Sequence, residues 1–84
     1  MIEIKFLDKE IRAVAYDKEI IIGECNFVRG KNTWNIVHTE VNKLYKGQKI
    51  AKGLVECVID NAKKQNKILI ADCSYAKNML EKIK

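Results

Sequence analysis

The chain has 84 residues, of which 48% are hydrophobic and none is proline. The length predicts one small domain, residues 1–84, and the composition excludes a disordered, collagen-like or mucin-like chain. The excess of 16 Lys and Arg over 11 Asp and Glu gives a net charge of +5, which favours an anionic ligand but is too mixed for a disordered basic tail.

The first half of the chain has the two-residue alternation that is typical of β-strands. Four strands are predicted, at residues 2–6, 11–16, 20–28 and 33–41, and Gly23 is expected to mark a bulge. In the fourth strand the alternation predicts Trp34, Ile36 and His38 on one face and Val37, Thr39 and Val41 on the other.

The second half changes to a helical period. Apolar residues from position 50 to 62 fall on one broad arc, which predicts a helix over 48–64 that packs on a sheet. Residues 68–71 form a short apolar run, typical of a buried parallel strand. A last helix with Ser74 as N-cap is expected to carry an apolar stripe of Ala76, Met79, Leu80 and Ile83. The order β-β-β-β-α-β-α predicts an α+β fold with a mixed sheet, in which strands 4 and 5 pair in parallel.

The loop before the first helix is a candidate anion site. Residues 46–51 include Gly47, and lysines at positions 43, 46, 49 and 52 surround it. Free amides and the dipole at a helix N-terminus attract anions. The alternative is a solvated helix start with an ordinary turn glycine, and the spacing of a P-loop is absent.

Two further residues are candidates for chemistry. His38, near the end of strand 4, is a candidate general base, with a partly buried structural histidine as the alternative. Cys73 precedes the last helix, where a thiol can have a lowered pKa and act as a nucleophile, with a small apolar corner residue as the alternative. Because parallel strands 4 and 5 end at the same edge of the sheet, we expect His38, the 46–51 loop and Cys73 to converge there.

Other features indicate the compartment. No apolar run approaches the roughly 20 residues of a membrane span, and the first residues do not form a signal peptide. The three cysteines include no Cys-x-x-Cys pair, and the chain has one histidine. We therefore expect a soluble cytoplasmic protein with no disulfide framework, no metal site and no membrane partner.

Four short segments, taken in order, carry a resemblance. They are His38-Thr39-Glu40-Val41, the run from Lys46 to Leu54, Ala62-Lys63, and the run from Cys73 to Lys77. In this order and at these spacings they resemble the small GNAT-like N-acetyltransferase family, minimal single-domain relatives of the GNAT superfamily of acyl-CoA N-acyltransferases. The resemblance covers about residues 36–82. It implies an acyl-CoA N-acyltransferase-like twisted sheet with splayed strands 4 and 5, and acetyl-CoA as cosubstrate without a metal.

The resemblance also implies site residues. The pantetheine arm would lie along strand 4, the pyrophosphate on the loop amides, and the acetyl group near the catalytic residues His38 and Cys73. The implied cofactor-binding residues are Val37, Thr39, Val41, Lys46, Gly47, Gln48, Lys49, Ile50, Ala51, Ser74, Lys77 and Asn78.

Two positions depart from the superfamily pattern. Lys49 stands where the superfamily has a glycine that lets a phosphate approach the backbone. We expect this lysine in the first helical turn, with weakened but retained coenzyme binding. Leu80 occupies the position that best aligns with a tyrosine general acid.

The function implied is that of an acetyl-CoA-binding N-acetyltransferase whose acceptor is an amine on a small molecule or protein, in a monomer or weak homodimer. The short chain leaves few residues for an acceptor pocket, so an open site, a macromolecular acceptor or a partner chain is expected. Two alternatives remain: a non-catalytic acyl-CoA-binding or regulatory module, and a small nucleic-acid-binding α+β domain motivated by the charge of +5.

Overall fold

The computed structural model describes residues 2–83, with side chains described as far as residue 81. The elements are β1 (Ile2–Leu7), β2 (Arg12–Asp17), β3 (Ile20–Arg29), β4 (Thr33–Val41), α1 (Ile50–Lys64), β5 (Ile68–Ala71) and α2 (Ser74–Ile83). Short 3-10 turns lie at Asp8–Glu10 and Lys43–Tyr45. The predicted order of elements and the α+β class are confirmed.

The five strands form one mixed sheet in the order β1-β2-β3-β4-β5. Every neighbouring pair is antiparallel except β4 and β5, which are parallel. Their pairing begins at Thr33 and Ile68 and ends at Ile36 and Ala71. Because β4 continues to Val41, its last part has β3 as its only neighbour in the described sheet, and the predicted separation of strands 4 and 5 is present.

A β-bulge interrupts β4 at Val37. Phe27 of β3 pairs with Ile36, but the next residue, Asn26, pairs with His38. Val37 is therefore an extra residue, and both Val37 and His38 are exposed. The predicted alternation is wrong beyond Ile36, because two residues opposite one reset the phase of the strand.

The bulge decides which residues of β4 reach the buried side. Thr39 pairs with the buried Cys25, and Val41 packs against the core cluster. By uninterrupted alternation both would have faced away from Trp34 and Ile36. The bulge therefore keeps the inward-facing residues of both halves of β4 on one face.

One face of the sheet is covered by α1, as the apolar arc predicted. The buried residues of this helix are Ile50, Leu54, Val55, Val58, Ile59 and Ala62. They pack against buried residues of β2, β3 and β4, including Phe27 and Trp34, whose ring centroids lie 4.5 Å apart. Phe6 stacks on both rings at 5.7 Å.

Both helices begin at residues other than those expected. The first starts at Ile50 rather than at residue 48, because Lys49 has left-handed backbone angles, φ 61° and ψ 25°, and occupies the N-cap. The second starts at Ser74, and the Lys77 amide donates to the Cys73 carbonyl at 2.9 Å. Cys73, not Ser74, is therefore its N-cap, since that carbonyl accepts the first helical bond.

The remaining local predictions hold in part. In β3 the register shifts at Ile22, next to Gly23, where a bulge was expected. In α2, Ala76 is buried, and Met79 and Leu80 pack against the core cluster. The part of the apolar stripe assigned to Ile83 lies outside the described side chains.

Candidate functional site

A cavity of about 460 Å³ lies where the end of β4 faces the loop before α1. Its lining consists of Thr39, Val41, Tyr45, Lys46, Gly47, Lys49, Ile50, Ala51 and Tyr75. Most of the predicted cofactor-binding residues are thus brought together here. The others lie outside this lining: Val37, Gln48, Ser74, Lys77 and Asn78.

The backbone of the loop presents amide groups at the rim of this cavity. Gly47 has φ 83° and Lys49 has φ 61°. The Gly53 amide donates to the Lys49 carbonyl at 3.1 Å, which is the first bond of α1. The amides of residues 50–52 precede this bond and have no acceptor within the helix. Together with the helix dipole, these donors suit a phosphate group.

Lys49 occupies a backbone conformation that glycine adopts more readily. For a residue with a side chain, the left-handed conformation costs roughly 1–2 kcal/mol, because its Cβ approaches the following carbonyl oxygen. The expectation that Lys49 lies within the first helical turn is therefore wrong. The lysine is an exposed N-cap residue on the cavity lining, where its ammonium group adds positive charge.

Tyr45 ties this loop to the far end of β2. Its hydroxyl donates to Asp17 Oδ2 at 2.6 Å. The hydrogen bond lowers the pKa of Asp17 and raises the pKa of Tyr45. Next to it, Asn42 Oδ1 accepts from the Leu44 amide at 2.9 Å. The loop is thus anchored at its start, before the residues that line the cavity.

Cys73 lies at the corner between β5 and α2, beside Thr39. Its amide donates to the Ile36 carbonyl at 3.0 Å, which places it at the point where the two strands separate. The Cys73 thiol donates to Thr39 Oγ1 at 3.5 Å, and the Thr39 hydroxyl donates to Cys25 Sγ at 3.6 Å. The Thr39 hydroxyl is therefore shared between two thiols.

The three thiols differ in acidity. Burial raises the pKa of Cys73, but its hydrogen bonds with the Ala76 amide, with the Thr39 hydroxyl and with further backbone amides outweigh it, so the pKa is lowered overall. Burial raises the pKa of Cys25 to about 11 and also raises that of Cys57. Since the thiolate is the reactive form, Cys73 is the best placed of the three to react.

His38 lies on the other side of β4. It pairs with Asn26, and its side chain is 57% exposed, with Nε2 at 3.6 Å from Glu40 Oε2. In the described part of the chain, no hydrogen bond or ion pair joins His38 to Cys73. Two of the three regions expected to converge, the loop and the Cys73 corner, meet at Thr39, while His38 faces away from them.

Two residues that line the cavity, Tyr45 and Tyr75, are not among the predicted cofactor-binding residues. A signal was present for Tyr75, since it follows the candidate N-terminus of the last helix. The contact of Tyr45 with Asp17 joins residues distant in the sequence, so no local pattern could have shown it.

Comparisons with known proteins agree on a family. A family model described as GCN5-related N-acetyl-transferase matches residues 12–84. The chain belongs to this family of acetyl-CoA-dependent N-acetyltransferases. A comparison with the curated proteins found no match.

Solved structures share the fold. A GCN5-like putative N-acetyltransferase from Staphylococcus aureus is 35% identical, with a TM-score of 0.73, over 95% of this chain and 78% of that one. A ribosomal-protein-alanine N-acetyltransferase from Brucella melitensis biovar Abortus 2308 is 20% identical, with a TM-score of 0.65, over 86% of this chain and 61% of that one.

A third structure contains the coenzyme. The PaiA N-acetyltransferase from Thermoplasma acidophilum, solved in complex with coenzyme A, is 19% identical with a TM-score of 0.64. The match covers 68% of this chain and 36% of that one. The chain thus spans less than two thirds of the Thermoplasma and Brucella proteins.

The described residues show two absences. Across residues 2–83, no helix is long and apolar enough to cross a membrane. Over the same part of the chain, no group of three or more His, Cys, Asp or Glu side chains is placed to hold a metal ion.

Proposed function

We propose that residues 1–84 act as one minimal domain that binds acetyl-CoA and transfers its acetyl group to an amine. The observation that carries the proposal is one cavity between the start of α1 and the end of β4, which has no partner on its β5 side. This cavity combines backbone N–H donors, which suit a diphosphate, with the apolar end of a strand. The Cys73 thiol, whose pKa is lowered, contacts Thr39 on the cavity lining.

The lining fits an anionic, elongated ligand. Phosphate oxygens would accept from the amides of residues 50–52, with Lys46 and Lys49 supplying charge. The pantetheine arm would lie along Thr39 and Val41, where β4 has no partner on its β5 side. Family membership and the coenzyme A complex of the Thermoplasma protein support this placement.

The transfer itself moves an acetyl group from sulfur to nitrogen. The amine nitrogen bonds to the thioester carbonyl carbon, the C–S bond breaks, and the amine loses a proton while the sulfur gains one. Backbone amides of β4 would stabilise the developing negative charge on the carbonyl oxygen. Cys73 would act either as the proton donor to the leaving sulfur or as a transient acceptor of the acetyl group.

His38 is the proposed base for the incoming amine. It lies on the exposed face of β4, away from Thr39 and Cys73, so a role as base requires a bridging water molecule to carry the proton from the amine. Replacing His38 with alanine should reduce kcat, while acetyl-CoA affinity stays the same. An unchanged kcat would remove His38 from the mechanism.

An NMR titration with acetyl-CoA tests the binding step. Amide shifts should centre on residues 37–41, 46–51 and 73–78, and the amides of the β2–β3 hairpin turn at Lys18 and Glu19 serve as an internal control. If no amide moves at millimolar acetyl-CoA, the proposed function is wrong.

The intact mass after incubation with acetyl-CoA tests the role of Cys73. A stable acetyl adduct that is lost in Cys73→Ala indicates the covalent route. Its absence, together with turnover of an amine, indicates direct transfer.

A second candidate is a non-catalytic acyl-CoA-binding module. The separation of His38 from Cys73 on the two sides of β4 favours it, because the two groups form no contact in the described structure. This candidate predicts the same amide shifts with acetyl-CoA but no acetylated product with any member of a panel of amines. Turnover that depends on His38 excludes it.

A further inference from the structure

Asn35 of β4 and Asp72, at the end of β5, form a reciprocal pair of hydrogen bonds. The Asn35 side-chain amide donates to Asp72 Oδ2 at 2.8 Å, and the Asp72 backbone amide donates to Asn35 Oδ1 at 3.0 Å. One residue of β4 thus holds both the carboxylate and the backbone of Asp72. Since Asp72 directly precedes Cys73, the pair fixes a negative charge beside the thiol that has the lowered pKa.

The pair lies at the last contact between the two strands. The amides of Asp72 and Cys73 both donate to the Ile36 carbonyl, at 2.9 and 3.0 Å, and the pairing of the strands ends at Ile36 and Ala71. Beyond this point β4 continues to Thr39, which lines the cavity. The pair therefore fixes the corner from which the Cys73 side chain extends.

The Asp72 carboxylate and the Cys73 thiol lie on opposite faces of the sheet. Asn35 alternates with the buried Ile36, which packs in the core cluster, so the Asn35 side chain points to the outer face, opposite α1. The Cys73 thiol instead contacts Thr39, which faces inward beyond the bulge. By bonding to Asn35, the Asp72 carboxylate is held on the outer face, away from this thiol.

The neighbours of Asn35 on the outer face do not favour an amide. They are Val28 of β3, which is 51% exposed, and Ile70 of β5, which is 47% exposed. Asparagine is depleted in strands, and a β-branched residue would suit this position better. The pair with Asp72 is therefore the contact that accounts for Asn35.

We propose that Asn35 is a positioning residue for the reactive thiol and acts on it through Asp72. While the pair is intact, the Cys73 thiolate forms without repulsion from this carboxylate. Without Asn35, the carboxylate is free to turn toward the thiol of the next residue, where two like charges disfavour the thiolate. The Cys25 thiol beyond Thr39 adds no charge, since its pKa of about 11 keeps it protonated near neutral pH. The inference rests on the proposed function for the role of Cys73 in acetyl transfer.

Asn35→Val tests the inference without weakening the strand. Valine removes both bonds to Asp72 but suits a strand between Val28 and Ile70, so the fold should be retained. Alkylation of Cys73 by iodoacetamide at pH 7, measured by mass spectrometry of the labelled peptide, should slow by about threefold or more. The midpoint of its pH profile should move to higher pH, whereas a pair that serves stability alone would leave the profile where it is.

Two further variants show whether the carboxylate is the cause. Asn35→Val/Asp72→Asn also lacks the original pair but carries no charge at residue 72, so its profile should return to that of the original chain. Asn26→Val is the matched control, because Asn26 lies on the outer face of β3, between the buried Cys25 and Phe27. It should react as the original chain does.

Three outcomes would overturn the inference. The first is an Asn35→Val profile that superimposes on the original or moves to lower pH. The second is a shift that persists in the double variant, because the carboxylate would then not be its cause. The third is an equal slowing in Asn26→Val. Alkylation uses no acetyl-CoA, so a failure of acetyl-CoA to bind would count against the proposed function and leave this result standing.

Discussion

The Cys73 thiol lies 3.5 Å from the Thr39 hydroxyl, across the gap that opens where β5 leaves β4. This contact joins the corner before α2 to the strand that borders the cavity. It also depends on the Val37 bulge, because Thr39 faces inward only after the extra residue has reset the strand. The same hydroxyl contacts Cys25 Sγ at 3.6 Å. Its removal therefore affects two thiols, Cys73 with a lowered pKa and Cys25 with a raised pKa.

Thr39→Val should make Cys73 less reactive. Once Cys73 is ionised, its sulfur can only accept a hydrogen bond, so the Thr39 hydroxyl stabilises the thiolate by turning from Cys25 to donate to it. Loss of this hydroxyl therefore raises the pKa of Cys73 and lowers the thiolate fraction near neutral pH. We expect the rate of alkylation by iodoacetamide at pH 7 to fall several-fold, and the midpoint of its pH profile to move to higher pH. Mass spectrometry of the labelled peptides measures the rate at Cys73.

The control for this variant is Thr39→Ser, which keeps the hydroxyl and should keep the profile. Cys25 should remain unlabelled in all forms, since burial holds its pKa at about 11. A Thr39→Val profile that superimposes on that of the original chain would show that the hydroxyl does not set the acidity of Cys73.

Lys49→Gly should stabilise the protein. Glycine adopts the left-handed angles of this N-cap without a Cβ contact, although part of the gain is lost to the greater freedom of glycine in the unfolded chain. We expect a gain of up to about 1 kcal/mol in the free energy of unfolding, which corresponds to a rise in Tm of roughly 4–8 °C for a domain of this size. Urea and thermal denaturation measure both.

The matched control is Lys52→Gly, at an exposed position inside α1. Here glycine should destabilise the protein by up to about 1 kcal/mol, since the backbone is helical. If Lys49→Gly destabilises the protein as Lys52→Gly does, the left-handed conformation is not a source of strain. Titration of Lys49→Gly with acetyl-CoA would then show whether the ammonium group contributes to binding.

Tyr45→Phe should change how stability depends on pH. The lowered pKa of Asp17 means that the hydrogen bond stabilises the fold above the unfolded pKa of Asp, about 4, and is lost as the pH falls through the lowered value. The raised pKa of Tyr45 means that it stabilises the fold below about pH 10 and is lost as the pH rises through the raised value.

The stability difference between the original chain and Tyr45→Phe should therefore be largest between these limits and shrink beyond both. Urea denaturation at a series of pH values measures it. Tyr75→Phe is the control, because the hydroxyl of Tyr75 forms no side-chain hydrogen bond in the described structure. A Tyr45→Phe difference that is constant from acid to alkaline pH would contradict the assignment.

The architecture could be predicted from the sequence because it depends on periodicity. The two-residue pattern of the first half and the broad apolar arc of α1 each reflect a face that must be buried. The short apolar run at Ile68–Ala71 directly after the helix was sufficient to predict the parallel strand. These features are repeated over many residues, so single exceptions do not obscure them.

The details of the site could not be predicted, because they depend on single residues with irregular backbone. Nothing in the sequence shows that Val37 is an extra residue, since a β-branched residue suits either face. Nor does it show that Lys49 has left-handed angles, because lysine rarely adopts them. The link between Tyr45 and Asp17 is a long-range contact, which patterns of neighbouring residues do not contain.

Because of the bulge at Val37, an insertion or deletion in β4 disturbs the fold more than a substitution at an exposed position of the strand. A substitution at an exposed position such as Val37 or His38 changes one side chain and leaves the faces of the strand as they are. A residue inserted between Thr39 and Val41 would instead reverse the orientation of those that follow, so that Val41 would turn to solvent. Variation within a lineage of this chain should therefore include substitutions along β4 far more often than gaps.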